Sequence, residues 1–206
     1  QGIYPDMPAA EYFADPCPVA SLTQSIAKIL IDQSPMHAWH AHPKLNSNYQ
    51  HDDDTKFDAG NCAHKMLIGR GKDIVVLDQF NDWRTKAAQT TREELAQAGK
   101  LGVLSKTARR ASAMVNSARD QLIFRGLSEA FQPGHGDGEL VIAWNERDIW
   151  FRQMIDWLST DRCMFWDYKT TDMSVAPYTI SRMMATAGWP IQAAMAERGL
   201  GAVDPL

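Results

Sequence analysis

Apolar and polar positions along the chain keep two kinds of spacing, and each predicts a different element. "SLTQSIAKILIDQSP" spaces Leu22, Ile26, Ile29 and Leu30 as one helical stripe, with Ser21 as N-cap, Gln24 completing a capping box and Ser34-Pro35 as the stop. "DAGNCAHKMLIGRG" repeats the spacing in Ala59, Ala63, Met66 and Leu67 and sets His64 inside a helix. "DIVVLD" is a short strand, and residues 91–130 are again helical, with Ser105 as N-cap.

After the glycine-rich break "PGHGDG" the period changes. "ELVIAWN", "DIWFRQMIDWL" and "RCMFWDYKT" are β-rich runs separated by the short turns "ER" and "STD", which predicts an antiparallel meander. "TTDMSVAPYTISRMMATAGWPIQAAMAERGL" returns to helix, divided at Gly188-Trp189-Pro190. Residues 1–20, with Pro5, Pro8, Pro16 and Pro18, are expected as an extended arm. "HPKLNSNYQHDDDTKFD" is expected as a solvated loop in which "HDDD" is a poor metal motif. No repeat or linker interrupts the rest. The expectation is one α/β domain over residues 21–206, a central mixed sheet with an antiparallel meander flanked by helices.

Composition narrows the classes. The chain has 206 residues, 45% of them hydrophobic, enough for a sizeable core. A net charge of −4 and a pI near 5.8 argue against a coat-like nucleic-acid binder, but a local basic face would serve an enzyme acting on nucleic acid. The helix after Ser105 carries Lys106, Arg109, Arg110, Arg119 and Arg125 against Asp120, either a solvated face or a surface that tracks phosphates. Cys17, Cys62 and Cys163 are scattered, which supports neither a disulfide framework nor a cysteine metal site and suits a reducing compartment. Without a leader pattern or an apolar run of membrane-spanning length, the expectation is a soluble, intracellular chain with no membrane partner.

The run "FWDYKTTD" carries the chemistry. Residues two apart on a strand share a face, so Asp167 and Lys169 point together. Asp156 lies eleven residues upstream, and a hairpin through "STD" brings it alongside Asp167. Two adjacent carboxylates repel unless a cation lies between them, and Mg²⁺ or Mn²⁺ with oxygen ligands would resolve the repulsion. The Tyr168 carbonyl is a further oxygen candidate, and Lys169 could orient a water or meet a charged transition state. The plainer alternative is a solvated cross-strand salt bridge.

The arrangement of Asp156, Asp167 and Lys169 resembles the PD-(D/E)XK nuclease superfamily. Further stretches resemble one branch of it, the RecE-like exonucleases of the exonuclease VIII group, often found in prophages. "SLTQSIAKILIDQSPMHAWHAH" looks like their opening segment, "AGNCAHKMLIGRG" like their histidine helix, "DYKTTD" like their D-[VLY]-K-T-[TA]-D motif, and "GWPIQAAMAERGL" like their glutamine helix. Order and spacing agree from about residue 19 to 200.

The resemblance implies a PD-(D/E)XK core and a Mg²⁺-dependent exonuclease, with Mn²⁺ as a substitute ion, acting on double-stranded DNA ends in phage-type recombination. It gives metal-site roles to His64, Asp156, Asp167 and Tyr168, and makes Lys169 the motif lysine. Glu139 matches a strand glutamate, and Gln192 the glutamine that positions site and DNA. It also implies degradation of one strand from a 5′ end, a single-strand annealing protein as partner, a homo-oligomeric ring, and the cytoplasm of a bacterial or phage-infected cell. Ala196 stands where the family has tyrosine, Ile155 where it often has proline, and the chain ends at "GAVDPL" where relatives continue with a strand, as a C-terminally truncated chain would. The related nucleases with an iron–sulfur cluster need four cysteines and are not matched. Two alternatives stand beside the exonuclease: a metal-dependent endonuclease of restriction or repair type, and a non-catalytic DNA-binding protein on the same fold.

Overall fold

The computed structural model describes residues 1–49 and 58–204. The "HDDD" run, 51–54, lies outside the described residues. In chain order the elements are β1 (Gly2–Tyr4), α1 (Ala9–Phe13), α2 (Gln24–Asp32), α3 (Pro35–His40) and α4 (Asp58–Ile68). Then come β2 (Ile74–Leu77), α5 (Lys86–Gln97), β3 (Leu101–Leu104), α6 (Ser105–Phe124), β4 (Gly136–Glu146) and β5 (Ile149–Ser159). The last are β6 (Phe165–Trp166), α7 (Pro177–Ala187) and α8 (Trp189–Val203).

The architecture is mixed α/β. One sheet runs β1-β4-β5-β6, with β1 antiparallel to β4 and β6 antiparallel to β5. β2 and β3 form a separate parallel pair instead of joining one mixed sheet. The chain divides into two compact units. Unit 1 takes residues 1–52, 139–155 and 171–206, and unit 2 takes 53–138 and 156–170.

In unit 1, residues 1–20 are not simply extended, because Gly2–Tyr4 pairs with β4 (Gly2↔Ala143 to Tyr4↔Val141) and Ala9–Phe13 is helical. Helix α2 starts at Gln24 with Thr23 as N-cap, its side chain accepting from Ile26 N at 3.3 Å. Ser21 does not cap it. Leu22 is held in a bridge to Phe151, with Leu22 N donating to Trp150 O at 2.8 Å and Arg152 N to Leu22 O at 3.0 Å, so the backbone there is committed to strand-like pairing. His42, expected in a solvated loop, is buried, and its ring Nε2 lies 2.9 Å from the Ser21 carbonyl. The unit's core centres on Val141, Ile142 and Trp144, with Trp144 stacked on Phe151. Gly199 fits against this wall because a Cβ there would fall 2.5 Å from Ile142 Cδ1 and 2.6 Å from Trp144 Cζ3.

In unit 2, α4 packs on α6 around Cys62, Ala63, Leu67, Val103, Ala111, Val115, Phe131 and Trp157. The helix expected over 91–130 is two helices with a strand between them. "LGVL" is four apolar residues in a row, which periodicity cannot assign, and pairing with β2 makes it β3. That strand runs directly into α6, so Leu104 occupies the N-cap position and Ser105 becomes helical, its hydroxyl bonded to Asp78. The last expected strand, "RCMFWDYKT", is regular only at Phe165–Trp166. No helix among the described residues is long and apolar enough to cross a membrane.

Candidate functional site

The site is built on the end of β5 and the segment after β6, all within unit 2. Trp157 pairs with Trp166 and Leu158 with Phe165, the last regular pairs of the hairpin. Regular pairing stops at Trp166, one residue before Asp167. Beyond it the backbone turns toward Asp156, and Tyr168 N–H donates to Asp156 Oδ2 at 2.8 Å. The Tyr168 ring is partly buried against Phe131, which anchors the segment.

Helix α4 supplies the other wall. Asp58, in its first turn, is bound by Arg92 at 2.5 Å, and Arg92 lies over the Trp83 ring, so α4 and α5 are tied together there. Burial pushes the Asp58 carboxyl up in spite of Arg92. Further along, Ala63 and Leu67 enter the core, and His64 Nε2 comes within 3.5 Å of Asp156 Oδ1. Gly60, one turn before His64, also shapes the site. A Cβ there would lie 2.7 Å from Thr170 Oγ1, so glycine lets the segment after Lys169 approach the helix. The available signal was a glycine inside a helical pattern, which often marks close approach.

Asp156 is the electrostatic centre. Burial raises a carboxyl pKa, but here the His64 hydrogen bond, the charges of His64 and Lys169, and the Tyr168 amide outweigh burial and hold Asp156 below the ordinary carboxylate range. Asp167 pairs with the Lys169 ammonium at 2.5 Å, and both side chains are part-exposed. The structure thus brings together His64, Asp156, Asp167, Tyr168 and Lys169. Glu139 and Gln192 belong to unit 1, Glu139 in β4 with φ 51° and Gln192 in the first turn of α8.

Among the described residues, no group of three or more His, Cys, Asp or Glu side chains is gathered as a metal cage. His64 and Asp156 are two solvent-accessible candidate donors. Their 3.5 Å separation is close to the ~3 Å between adjacent ligands of an octahedral ion held at ~2.1 Å. Hard oxygen with one imidazole suits a small divalent cation, and Asp167 would complete the donor set by turning from Lys169. Comparison of the chain with protein-family models, curated proteins and solved structures gives no match.

Proposed function

We propose that this chain is a Mg²⁺-dependent exodeoxyribonuclease of the PD-(D/E)XK type, similar to RecE-like exonucleases and acting on ends of duplex DNA. One observation carries the proposal: a depressed, mostly buried carboxylate (Asp156) faces a histidine and accepts the Tyr168 amide, next to an Asp–Lys pair open to solvent. A purely structural salt bridge needs neither the histidine nor the amide.

Asp156 and His64 would hold the ion, with Asp167 as third ligand. When bound, Mg²⁺ would neutralise charge on the scissile phosphate and make an attacking water more acidic. The chain's own groups do the rest. Tyr168 N–H fixes the Asp156 carboxylate in one orientation, so the site needs little rearrangement during reaction. Lys169, positioned by Asp167, faces the attacking water or the charge that grows on the phosphate oxygens. The water oxygen bonds to phosphorus, the phosphorus–oxygen bond to the leaving nucleotide breaks, and the leaving oxygen takes a proton. The single-strand annealing partner, the ring assembly and the cytoplasmic location come with the resemblance and belong to the same proposal.

The test is end-labelled linear duplex beside closed circular DNA, with and without Mg²⁺. Label should be released from linear duplex only, only with Mg²⁺ or Mn²⁺, and not by Asp156→Asn. Mg²⁺ should also raise the melting temperature by binding the folded state, a shift lost in Asp156→Asn/Asp167→Asn. Cutting of circular DNA would make the chain an endonuclease. Binding to DNA without any cleavage would leave a non-catalytic DNA-binding protein.

A further inference from the structure

Helix α6 ends on exposed apolar side chains. Its last two residues, Ile123 and Phe124, are 63% and 84% exposed, while Leu122 beside them packs on the core of unit 2. The end is fixed and does not fray. Gly126 takes φ 71°, its N–H donates to Ile123 O at 3.0 Å, and Leu127 N–H donates to Leu122 O at 2.8 Å, the paired bonds of a Schellman cap. An aromatic ring is therefore held out in water on a capped helix end.

The row leading to Phe124 adds the second observation. Spacings of three and four place Lys106, Arg109 or Arg110, Ala113, Ser117 and Phe124 along the outer side of α6, opposite the buried Ala111 and Val115. Lys106, Arg109 and Arg110 are exposed and make no side-chain ion pair among the described residues. Asp120 is the one acid on the row, and Arg125 follows Phe124 directly. From Lys106 to Phe124 the row runs ~27 Å at 1.5 Å per residue. A partner for it must supply negative charge at intervals and a flat apolar surface at the far end. A single-stranded nucleic acid does both with one repeating unit, phosphates on the cations and a base on the ring.

We propose that the outer row of α6 binds a single strand of nucleic acid and that Phe124 stacks on one of its bases. The inference rests on the nuclease reading for its biological sense, since an enzyme that removes one strand of a duplex leaves the other single, but its test needs no cleavage. In EDTA, binding is measured to a single-stranded oligonucleotide carrying 2-aminopurine and to a blunt duplex. Wild-type protein should bind the single strand and quench the 2-aminopurine. Phe124→Ala should weaken that binding roughly tenfold and abolish the quenching, within the range for losing one base–aromatic stack. Phe124→Trp should keep both signals, and Phe124→Leu, apolar but not aromatic, should behave like Phe124→Ala. Lys106→Glu/Arg109→Glu should weaken binding and flatten its salt dependence.

Phe124 is exposed, so these variants should fold. Unchanged single-strand binding by Phe124→Ala overturns the proposal while leaving the nuclease reading intact. Wild-type-like binding by Phe124→Leu also overturns it, because a greasy contact would then suffice. Unchanged binding with altered self-association would assign the ring to a contact with a second copy. Failure of the wild-type protein to bind either DNA would overturn this proposal together with the DNA reading.

Discussion

Unit 1 contains a second assembly with nearly the same ingredients as the candidate site, and the contrast shows what distinguishes scaffolding from chemistry. There Asp15 accepts from Cys17 N–H at 3.1 Å, from Ser21 N–H at 2.8 Å and from the Ser21 hydroxyl at 2.9 Å. Arg152 lies 3.0 Å from it, and His42 Nε2 lies 3.3 Å away. Lys44 N–H donates to His42 Nδ1, which leaves the proton on Nε2 facing Ser21 and Asp15. Arg152 also reaches the Tyr12 carbonyl at 3.1 Å and packs over its ring. Both assemblies are a carboxylate, a histidine, a cation and a backbone amide.

Access is the difference. The Asp15 side chain is 0% exposed, and its oxygens are already occupied by amides, a hydroxyl and a guanidinium. Asp156 is 16% exposed, its histidine 26% and Lys169 37%, so water or a substrate can reach the cluster. A sealed network with every polar group satisfied rigidifies a core and has no coordination left to offer. An open one holds its groups in place and keeps lone pairs for a ligand.

The largest test of this contrast is Asp15→Asn. Asparagine tolerates the φ of 66° at this position, but Arg152 would lose its buried counter-charge, and unfolding stability should fall by about 3–5 kcal/mol. Asp156→Asn can keep the bond from Tyr168 and should lose about 1 kcal/mol. Urea unfolding measures both, and equal losses would erase the distinction between sealed and open clusters.

Lys169→Ala comes next in size. It should leave the melting temperature and DNA-end binding near wild type and reduce single-turnover cleavage roughly a hundredfold, the scale of one preorganised charge. Near-normal cleavage would return Lys169 to a surface ion pair with Asp167.

Gly60→Ala probes the approach of the two walls. The added methyl meets Thr170 Oγ1, so stability should drop by about 1 kcal/mol, the overpacking being partly offset by alanine's helix preference. Adding Thr170→Ala should restore the loss, and a strictly additive pair would show that the two residues do not touch.

The smallest effect is in pH. A carboxyl with a depressed folded pKa contributes stability that is complete above its unfolded value of about 4 and is lost as pH falls through the folded value. Acid unfolding of the wild-type protein should therefore be steeper below about pH 4 than that of Asp156→Asn. Parallel curves would remove Asp156 from the list of stabilised carboxylates.

Local pattern was enough for several parts of the molecule. Helical spacing marked α4 and placed His64 in it, strand spacing marked β4 and β5, and Gly188-Trp189-Pro190 marked the break between α7 and α8. The short turn between β5 and β6 left their hairpin register little freedom. What needs partners far along the chain was decided only by the tertiary structure. "LGVL" became a strand because β2 lay beside it, and Ser21 left its helix because Phe151 and Asp15 claimed its surroundings. His42 was buried by Ser21, 21 residues away, and Arg152 by Tyr12, 140 residues away, separations at which no periodicity carries information. Spacing of two residues put Lys169 beside Asp167. Folding brought His64 to Asp156, because that contact depends on which helix packs beside the strand end and how far glycine at position 60 lets it come.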